Sequence, residues 1–237
     1  MLRLLFVLLL LSPSLDLHAE APRSFREAKR IAWGIYAERP QDFYCGCRIE
    51  GRAIDLHSCG YQPRRQPRRA ARVEWEHVVP AWVIGHQRQC WQNGGRRHCE
   101  RHDPLFRRAE ADLHNLVPVV GEVNGDRSNF AFGMLSQAPH QYGACPFVVD
   151  FRQRTAMPPA QTRGAIARIY LYMSQRYGLR LSRADLRLHQ AWNRQYPVSE
   201  WELWRNRRIA CIQGHANPHV GEVDLASCSR AERLSRR

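Results

Sequence analysis

Two short segments combine side chains that could catalyse hydrolysis with the help of a metal ion. The first, residues 73–81, places Glu76 directly before His77; the second, residues 114–127, contains Asn124. A histidine can take a proton from water near neutral pH. Carboxylate and carboxamide oxygens suit Mg²⁺ better than zinc. These residue types fit hydrolysis of a phosphodiester, which needs a base for water, a cation for the leaving oxygen and donors for the extra negative charge.

Each of these residues also has an ordinary structural interpretation. An isolated histidine such as His77 is by default a hydrogen-bonded core residue, and Glu76 could pair with an arginine. Asn124 precedes a glycine and could be a turn residue. Glu74 shares the face of Glu76 on an extended strand. Its role stays open between a neighbour of the site and a solvated carboxylate.

The charge of the chain indicates a polyanionic partner. The net charge is +14, and Lys29 is the sole lysine, so the excess consists of arginines. Arginine contacts phosphate through a planar fork of donors. Nucleic acid, anionic lipid and acidic glycan all fit this charge. Because no aromatic-rich recognition motif is present, we expect nucleic acid to be bound through its backbone. The expected arginines include Arg127, Arg163 and Arg168.

The N-terminus has the features of a secretory signal peptide. Arg3 is followed by the apolar run Leu4–Leu11, which is too short to cross a bilayer, and Ser12-Pro13 closes it. We expect cleavage after Ala19 and a mature, monomeric chain of residues 20–237 in the periplasm or outside the cell. No second apolar stretch predicts a membrane contact.

Eight cysteines follow the predicted signal peptide. In an exported chain, an even number indicates disulfides, although the sequence alone cannot choose among 105 pairings. Cys45 and Cys47 are too close on an extended strand to pair with each other. We expect three local pairs and one distant pair: Cys47–Cys59, Cys90–Cys99, Cys211–Cys228 and Cys45–Cys145. The competing interpretation, a zinc site, lacks a C-x-x-C pair.

Hydrophobic spacing and capping signals predict a single α+β domain. Helices are predicted after Ser24, Pro159, Ser182 and Ser199 and from Glu122 onward. The helix that begins after Pro159 is expected to end at Gly178. Extended segments are predicted at 73–79 and 116–120, and a hairpin around Gly51. Residues 87–102 are polar and predict a surface loop closed by a disulfide.

These segments resemble the bacterial endonuclease I family, whose members are periplasmic nucleases with a ββα-metal active site. The resemblance covers nearly the whole mature chain and adds the following stretches to the two above: Phe43–Cys47, Ser58–Gln62, Gly85–Gln92, Arg163–Arg168 and Ala191–Asn193. It implies a ββα-metal core surrounded by helices, and cleavage of DNA, often also RNA, with little sequence preference and with 5′-phosphate products.

The resemblance also implies a role for each site residue. His77 would be the general base and Arg96 would stabilise the pentacovalent phosphate. Glu76 and Asn124 would hold one divalent cation, Mg²⁺ or a similar ion. Arg97 would contact the nucleic-acid backbone.

The sequence departs from other ββα-metal nucleases, because the Asp-Arg-Gly-His string that many carry is replaced here by Glu74–His77. Adjacent residues of a regular strand point to opposite faces. We therefore predict that the strand is distorted, or ends, at Glu76 and His77. The main alternative is an exported basic protein that binds nucleic acid without cutting it. A metalloprotease is disfavoured because H-E-x-x-H is absent.

Overall fold

The computed structural model describes residues 21–136 and 140–234; the predicted signal peptide, residues 1–19, lies outside these ranges. None of the described helices is long and apolar enough to span a bilayer. The helices are α1 Phe25–Tyr36, α2 Pro67–Ala70, α3 Ala81–Gly85, α4 Gln89–Gln92, α5 Gly95–His102, α6 Pro104–Glu110, α7 Gly121–Arg127, α8 Ala160–Tyr177, α9 Arg183–Gln195, α10 Glu200–Gln213 and α11 Arg230–Leu234. The strands are β1 Arg48–Glu50, β2 Ala53–Asp55, β3 Val73–His77, β4 Leu116–Val120, β5 Ala131–Phe132, β6 Val148–Asp150 and β7 Thr155–Met157.

An antiparallel pair of strands and the helix that follows them form the centre of the molecule. Strand β3 pairs antiparallel with β4, in an unbroken register from Val73 opposite Val120 to His77 opposite Leu116. All residues of β4 are buried. Helix α7 begins at Gly121, directly after β4, so the chain reverses and the helix lies back along β3. This confirms the predicted α+β class.

Capping residues place several helix ends where the sequence predicts them. Ser24 and Ser182 each accept a hydrogen bond from the backbone of the third helical residue. Ser199 and Glu202 form a reciprocal capping box. Helix α8 ends at Gly178, which adopts the left-handed conformation (φ 66°) that glycine reaches without steric cost.

Two buried arginines join the long helices to the centre. The Arg168 guanidinium of α8 donates to both carboxylate oxygens of Glu202 on α10, at 2.6 and 2.8 Å. Arg205 of α10 donates to the hydroxyl of Tyr36 on α1 at 2.6 Å and to backbone carbonyls at the start of β4. Each buried charge is thereby paired or hydrogen-bonded, as a low-dielectric interior requires.

All four predicted disulfides are confirmed. The structure contains Cys45–Cys145, Cys47–Cys59, Cys90–Cys99 and Cys211–Cys228, and the described chain has no free cysteine. All eight cysteines are therefore in disulfides, and no thiolate remains for a zinc site.

One prediction about secondary structure is wrong, and one sheet was not predicted. Residues 87–102 are not a loop: they form α4 and α5, which Cys90–Cys99 joins. Their composition is polar because the surface of both short helices faces water, and Cys90 and Cys99 are the residues that turn inward. The sequence also gave no signal for the small sheet β5-β7-β6, because strands of two or three residues are too short to show a period.

Replacing both cysteines of one disulfide should cost stability according to the length of chain that it closes. Cys45 and Cys145 are 100 residues apart, whereas Cys90 and Cys99 are 9 apart. Constraint of the unfolded chain predicts losses of about 5 and about 2–3 kcal/mol respectively. Guanidinium unfolding of the two double alanine variants measures the difference. An equal or larger loss for Cys90/Cys99 would contradict this entropic ranking.

His189 should make stability depend on pH. Burial lowers the pKa of His189 to about 4, although Asp185 opposes the shift, whereas an unfolded histidine has a pKa near ~6.5. The unfolded chain therefore binds the extra proton between these values, and stability falls as the pH falls from ~6.5 towards 4. His189 stacks on Tyr170 with ring centroids 4.1 Å apart, and a phenylalanine at this position can keep that stacking. Between pH 7 and pH 5, the free energy of unfolding should therefore fall by about 2 kcal/mol less in His189→Phe than in the wild type.

Denaturant midpoints at both pH values test this expectation. The matched control is His57→Phe, at an exposed histidine, which should leave the pH dependence as in the wild type. The expectation is wrong if His189→Phe retains the wild-type difference between pH 7 and pH 5.

Candidate active site

Strand β3 presents different side chains to the two helices that cover it. The Trp75 ring packs on Trp33 of α1, with centroids 5.1 Å apart, and the His77 ring packs on Phe25 of the same helix at 4.6 Å. Glu74 and Glu76 point the other way, towards α7. The strand remains regular and ends at His77. Of the two predicted alternatives, distortion or termination, the structure therefore shows termination.

Glu76 is a buried carboxylate with one occupied and one open oxygen. Its Oε1 accepts hydrogen bonds from the Tyr44 hydroxyl and from Arg127 Nη1, both at 3.0 Å. Its Oε2 has no hydrogen-bond partner within residues 21–136 and 140–234. Burial raises the pKa of Glu76, and the Arg127 charge opposes that shift. A cation at Oε2 would stabilise the carboxylate in its ionised form.

Arg127 is a structural cation in the interior, which corrects its predicted role in binding nucleic acid. Its side chain has no exposed surface. Besides Glu76, the guanidinium donates to the carbonyls of His77 and Val78 and to the Tyr170 hydroxyl. It also lies 4.4 Å from the ring centre of Phe132. A guanidinium with these partners has no free face for a phosphate.

Asn124 lies on the face of α7 that contacts β3, three residues before Arg127. Its side-chain nitrogen donates to Glu74 Oε2 at 2.9 Å. In the described part of the chain, its oxygen Oδ1 has no hydrogen-bond partner, and the residue is half-buried. Asn124 Oδ1 and Glu76 Oε2 are both uncommitted hard oxygens on neighbouring elements, which fits Mg²⁺.

The described residues contain no cluster of three or more His, Cys, Asp and Glu that could hold a metal. A cation held by Glu76 and Asn124 would therefore have few protein ligands. That set fits Mg²⁺, which usually keeps several waters and binds through one or two carboxylates, but it does not fit a closed zinc site.

The hydrogen bond of His77 fixes its tautomer. Its Nε2 lies 2.8 Å from the backbone carbonyl oxygen of Glu110. Since a carbonyl can only accept, Nε2 carries the hydrogen, and Nδ1 keeps its lone pair. Burial, together with the nearby Arg96 charge, lowers the pKa of His77 to about 3. The imidazole is therefore neutral at pH 7 and can accept a proton at Nδ1.

Arg96 lies beside His77 and is held by carboxylates on one side and a ring on the other. Its Nε donates to Glu110 Oε1 at 2.5 Å, with Glu100 farther away at 3.4 Å. Its guanidinium carbon is 5.1 Å from the centre of the Phe25 ring, so Phe25 contacts both His77 and Arg96. The side chain is 39% exposed, which leaves donors available to an anion.

The remaining predicted arginines differ in accessibility. Arg97 is exposed on α5, next to Arg96. Arg163 is half-buried and donates to the Pro158 carbonyl and the Tyr196 hydroxyl. Arg168 is buried in its ion pair with Glu202, so its predicted contact with nucleic acid is corrected to a structural role. Its position in the sequence offered no sign of the buried carboxylate across the helix interface.

Helix α7 also holds a basic segment next to the site. The buried carboxylate of Glu122 accepts hydrogen bonds from the Tyr61 hydroxyl and from the backbone nitrogens of residues 64–66. Asp126, one turn later, pairs with both Nε and Nη2 of Arg64 at 2.9 Å. The segment continues into α2, which carries Arg68 and Arg69. These arginines therefore lie along the same helix that carries Asn124.

Sequence reasoning did not assign roles to Tyr44, Phe25 and Glu110. Tyr44 lies in the stretch 43–47 and is 32 residues before Glu76, which its hydroxyl contacts. Phe25 is an apolar residue of the helix predicted after Ser24, and its position in the sequence gives no indication that its ring lies against His77. Glu110 contributes a backbone carbonyl to His77, a role that no side-chain pattern can reveal.

Arg127→Met should destabilise the protein strongly, because it leaves the buried Glu76 charge without its cation. Removal of one partner of a buried pair costs about 3–5 kcal/mol. The matched control, Arg97→Met, should change stability by less than about 0.5 kcal/mol because Arg97 is exposed. Urea unfolding measures both. An equally small effect of both substitutions would contradict the structural role of Arg127.

Comparison with known proteins gives a consistent result over almost the whole chain. The family model described as Endonuclease I matches residues 12–223. An extracellular deoxyribonuclease of Aeromonas hydrophila is 52% identical over 222 residues, which cover 92% of this chain and 96% of the relative. A periplasmic deoxyribonuclease of the same species is 50% identical over 224 residues, or 92% and 94% of the two chains. Endonuclease-1 of Buchnera aphidicola is 45% identical over 201 residues, or 83% and 80%. The chain therefore belongs to the endonuclease I family.

Proposed function

We propose that the protein is an exported, metal-dependent endonuclease that hydrolyses phosphodiester bonds of DNA with little sequence preference. RNA is a further candidate substrate, and the products would carry 5′-phosphates. Family membership and the relatives named deoxyribonuclease support the activity, and the names extracellular and periplasmic support export.

The observation that carries this proposal is the arrangement around the end of β3. On one side of the strand is a neutral imidazole whose Nε2 donates to a backbone carbonyl and whose Nδ1 has no hydrogen-bond partner in the part of the chain that the structure describes. On the other side, Glu76 and Asn124 each keep one oxygen without a hydrogen bond among the described residues. A base and a pair of hard oxygens at one strand end are what metal-assisted phosphodiester hydrolysis needs.

Each side chain has a distinct part in the proposed reaction. His77 Nδ1 would accept a proton from the attacking water, while the bond from Nε2 to Glu110 holds the ring in place. The Arg96 guanidinium would donate to the phosphate as negative charge builds up on it. Glu76 and Asn124 would bind Mg²⁺ or a similar ion, which when bound would stabilise the leaving 3′ oxygen. Arg97 and the exposed arginines of the segment 64–69, Arg65 and Arg68, would contact neighbouring phosphates.

Supercoiled plasmid, incubated with the oxidised mature protein in Mg²⁺ or in EDTA, tests the activity. The wild type should nick the plasmid in Mg²⁺ and not in EDTA. His77→Ala should lower turnover by roughly 100- to 10,000-fold because the general base is lost. DNA affinity should be retained, because binding is mostly to phosphate through other residues. His57→Ala is the matched control at an exposed histidine and should cut as the wild type does.

Different results would lead to different conclusions. A shift of plasmid mobility without cutting in any sample would favour the alternative, a basic nucleic-acid-binding protein without catalysis. Cutting in EDTA would argue against the metal. Products that DNA ligase rejoins without prior phosphorylation would support 5′-phosphate ends, and failure to rejoin would argue against them.

A further inference from the structure

Glu74 is the acceptor that fixes the orientation of the Asn124 carboxamide. A carboxamide has one oxygen and one NH₂ group of nearly equal size, so the two can exchange by rotation about the last side-chain bond. Metal binding by Asn124 requires the oxygen to face the cation. Because an ionised carboxylate can only accept, the group that Asn124 turns towards Glu74 must be its NH₂. The 2.9 Å contact from Asn124 Nδ2 to Glu74 Oε2 has this polarity.

Glu74 is itself fixed by two arginines. Arg69 donates to both of its oxygens, from Nε at 2.9 Å and from Nη2 at 2.7 Å. Arg72 donates to Oε1 from Nε at 3.0 Å and from Nη2 at 2.7 Å. A carboxylate with four donors in fixed directions stays ionised and does not rotate freely. It can therefore act as a rigid acceptor for a third partner.

The neighbouring glycine makes room for this arrangement. A Cβ atom at Gly125 would lie 2.0 Å from Arg69 Nη1 and 2.4 Å from its Cζ. The guanidinium therefore occupies the space beside the residue that follows Asn124. Arg69, Glu74 and Asn124 thus form a continuous chain of hydrogen bonds from the basic segment of α2 to helix α7.

We propose that Glu74 is a positioning residue for the cation: by accepting from Asn124 Nδ2, it turns Asn124 Oδ1 towards the metal beside Glu76. This inference rests on the proposed metal site and assigns Glu74 an indirect part in it. Glu74 has no open position for direct ligation comparable to that of Glu76, since both of its oxygens accept from arginines. Outer partners that orient a ligand typically change metal affinity 10–100-fold when they are replaced.

The donor and the acceptor of the hydrogen bond between residues 74 and 124 can be exchanged by substitution. In Glu74→Gln, the carboxamide at position 74 can offer either its oxygen or its NH₂, so Asn124 loses its fixed orientation. In Asn124→Asp, two carboxylates face each other, and neither can donate. The double variant Glu74→Gln/Asn124→Asp replaces the repulsion between these two carboxylates with one hydrogen bond of the opposite polarity, which holds residue 124 in place with its other oxygen towards the metal.

Cation binding without DNA tests the proposal independently of catalysis. Mn²⁺, whose free form gives an EPR signal, is titrated into the wild type, the two single variants and the double variant. Glu74→Gln should raise the Kd about tenfold or more when residue 124 is Asn. The same substitution should lower the Kd when residue 124 is Asp. Glu50→Gln, at an exposed glutamate of β1, is the matched control and should leave the Kd unchanged.

A change in Kd of opposite sign with Asn and with Asp at position 124 separates a positioning role of Glu74 from a simple electrostatic one. Loss of a negative charge near a cation weakens binding in both backgrounds, so a higher Kd in both would overturn the proposal. An unchanged Kd in both would also overturn it. If the wild type binds no Mn²⁺, the metal site itself is wrong and the role of Glu74 falls with it. If Glu74→Gln alone does not fold, the comparison of Asn124→Asp with the double variant decides the question.

Discussion

The site depends on a charge that is taken out of water. Glu76 is almost completely buried, and a buried carboxylate persists only if it is paired and hydrogen-bonded. Arg127 supplies the cation and Tyr44 a further donor. Because the same guanidinium also binds the carbonyls of His77 and Val78, one interaction fixes the end of β3, helix α7 and the position of the neighbouring base. Within the described residues, Glu76 Oε2 has no hydrogen-bond partner and is left for a cation.

Helix α7 connects this cluster to the basic surface. Residues 124 and 127, three apart, lie on the face that contacts β3. Residues 122 and 126, four apart, lie on another face and hold the segment 64–66 and Arg64. These spacings follow from the period of the helix. A phosphate bound by the arginines would therefore be positioned against the oxygens of Glu76 and Asn124 by a single rigid element.

The arginines show how one residue type can serve two purposes. Arg127, Arg168 and Arg205 are buried, and each is hydrogen-bonded to carboxylates, backbone carbonyls or tyrosine hydroxyls in the interior. Arg96 and Arg97 lie at the surface. The number of arginines therefore overstates the positive charge that faces a polyanion, because Arg127 and Arg168 compensate buried carboxylates. Planar guanidinium groups suit both tasks, since their five donors satisfy several acceptors at once.

The sequence by itself indicated the α+β class, β4, the helix ends that carry capping signals, the presence of disulfides, and His77, Glu76 and Asn124 as the residues of interest. These features depend on local spacing, capping and chemistry, which are visible in one dimension. The tertiary structure alone decided which arginines are buried, that Phe25 lies under His77, and that Glu74 faces Asn124. Those contacts join residues that are far apart in the chain: Glu74 and Asn124 are 50 positions apart, and Arg205 and Tyr36 are 169 apart. Whether such side chains meet is decided by how the elements that carry them pack.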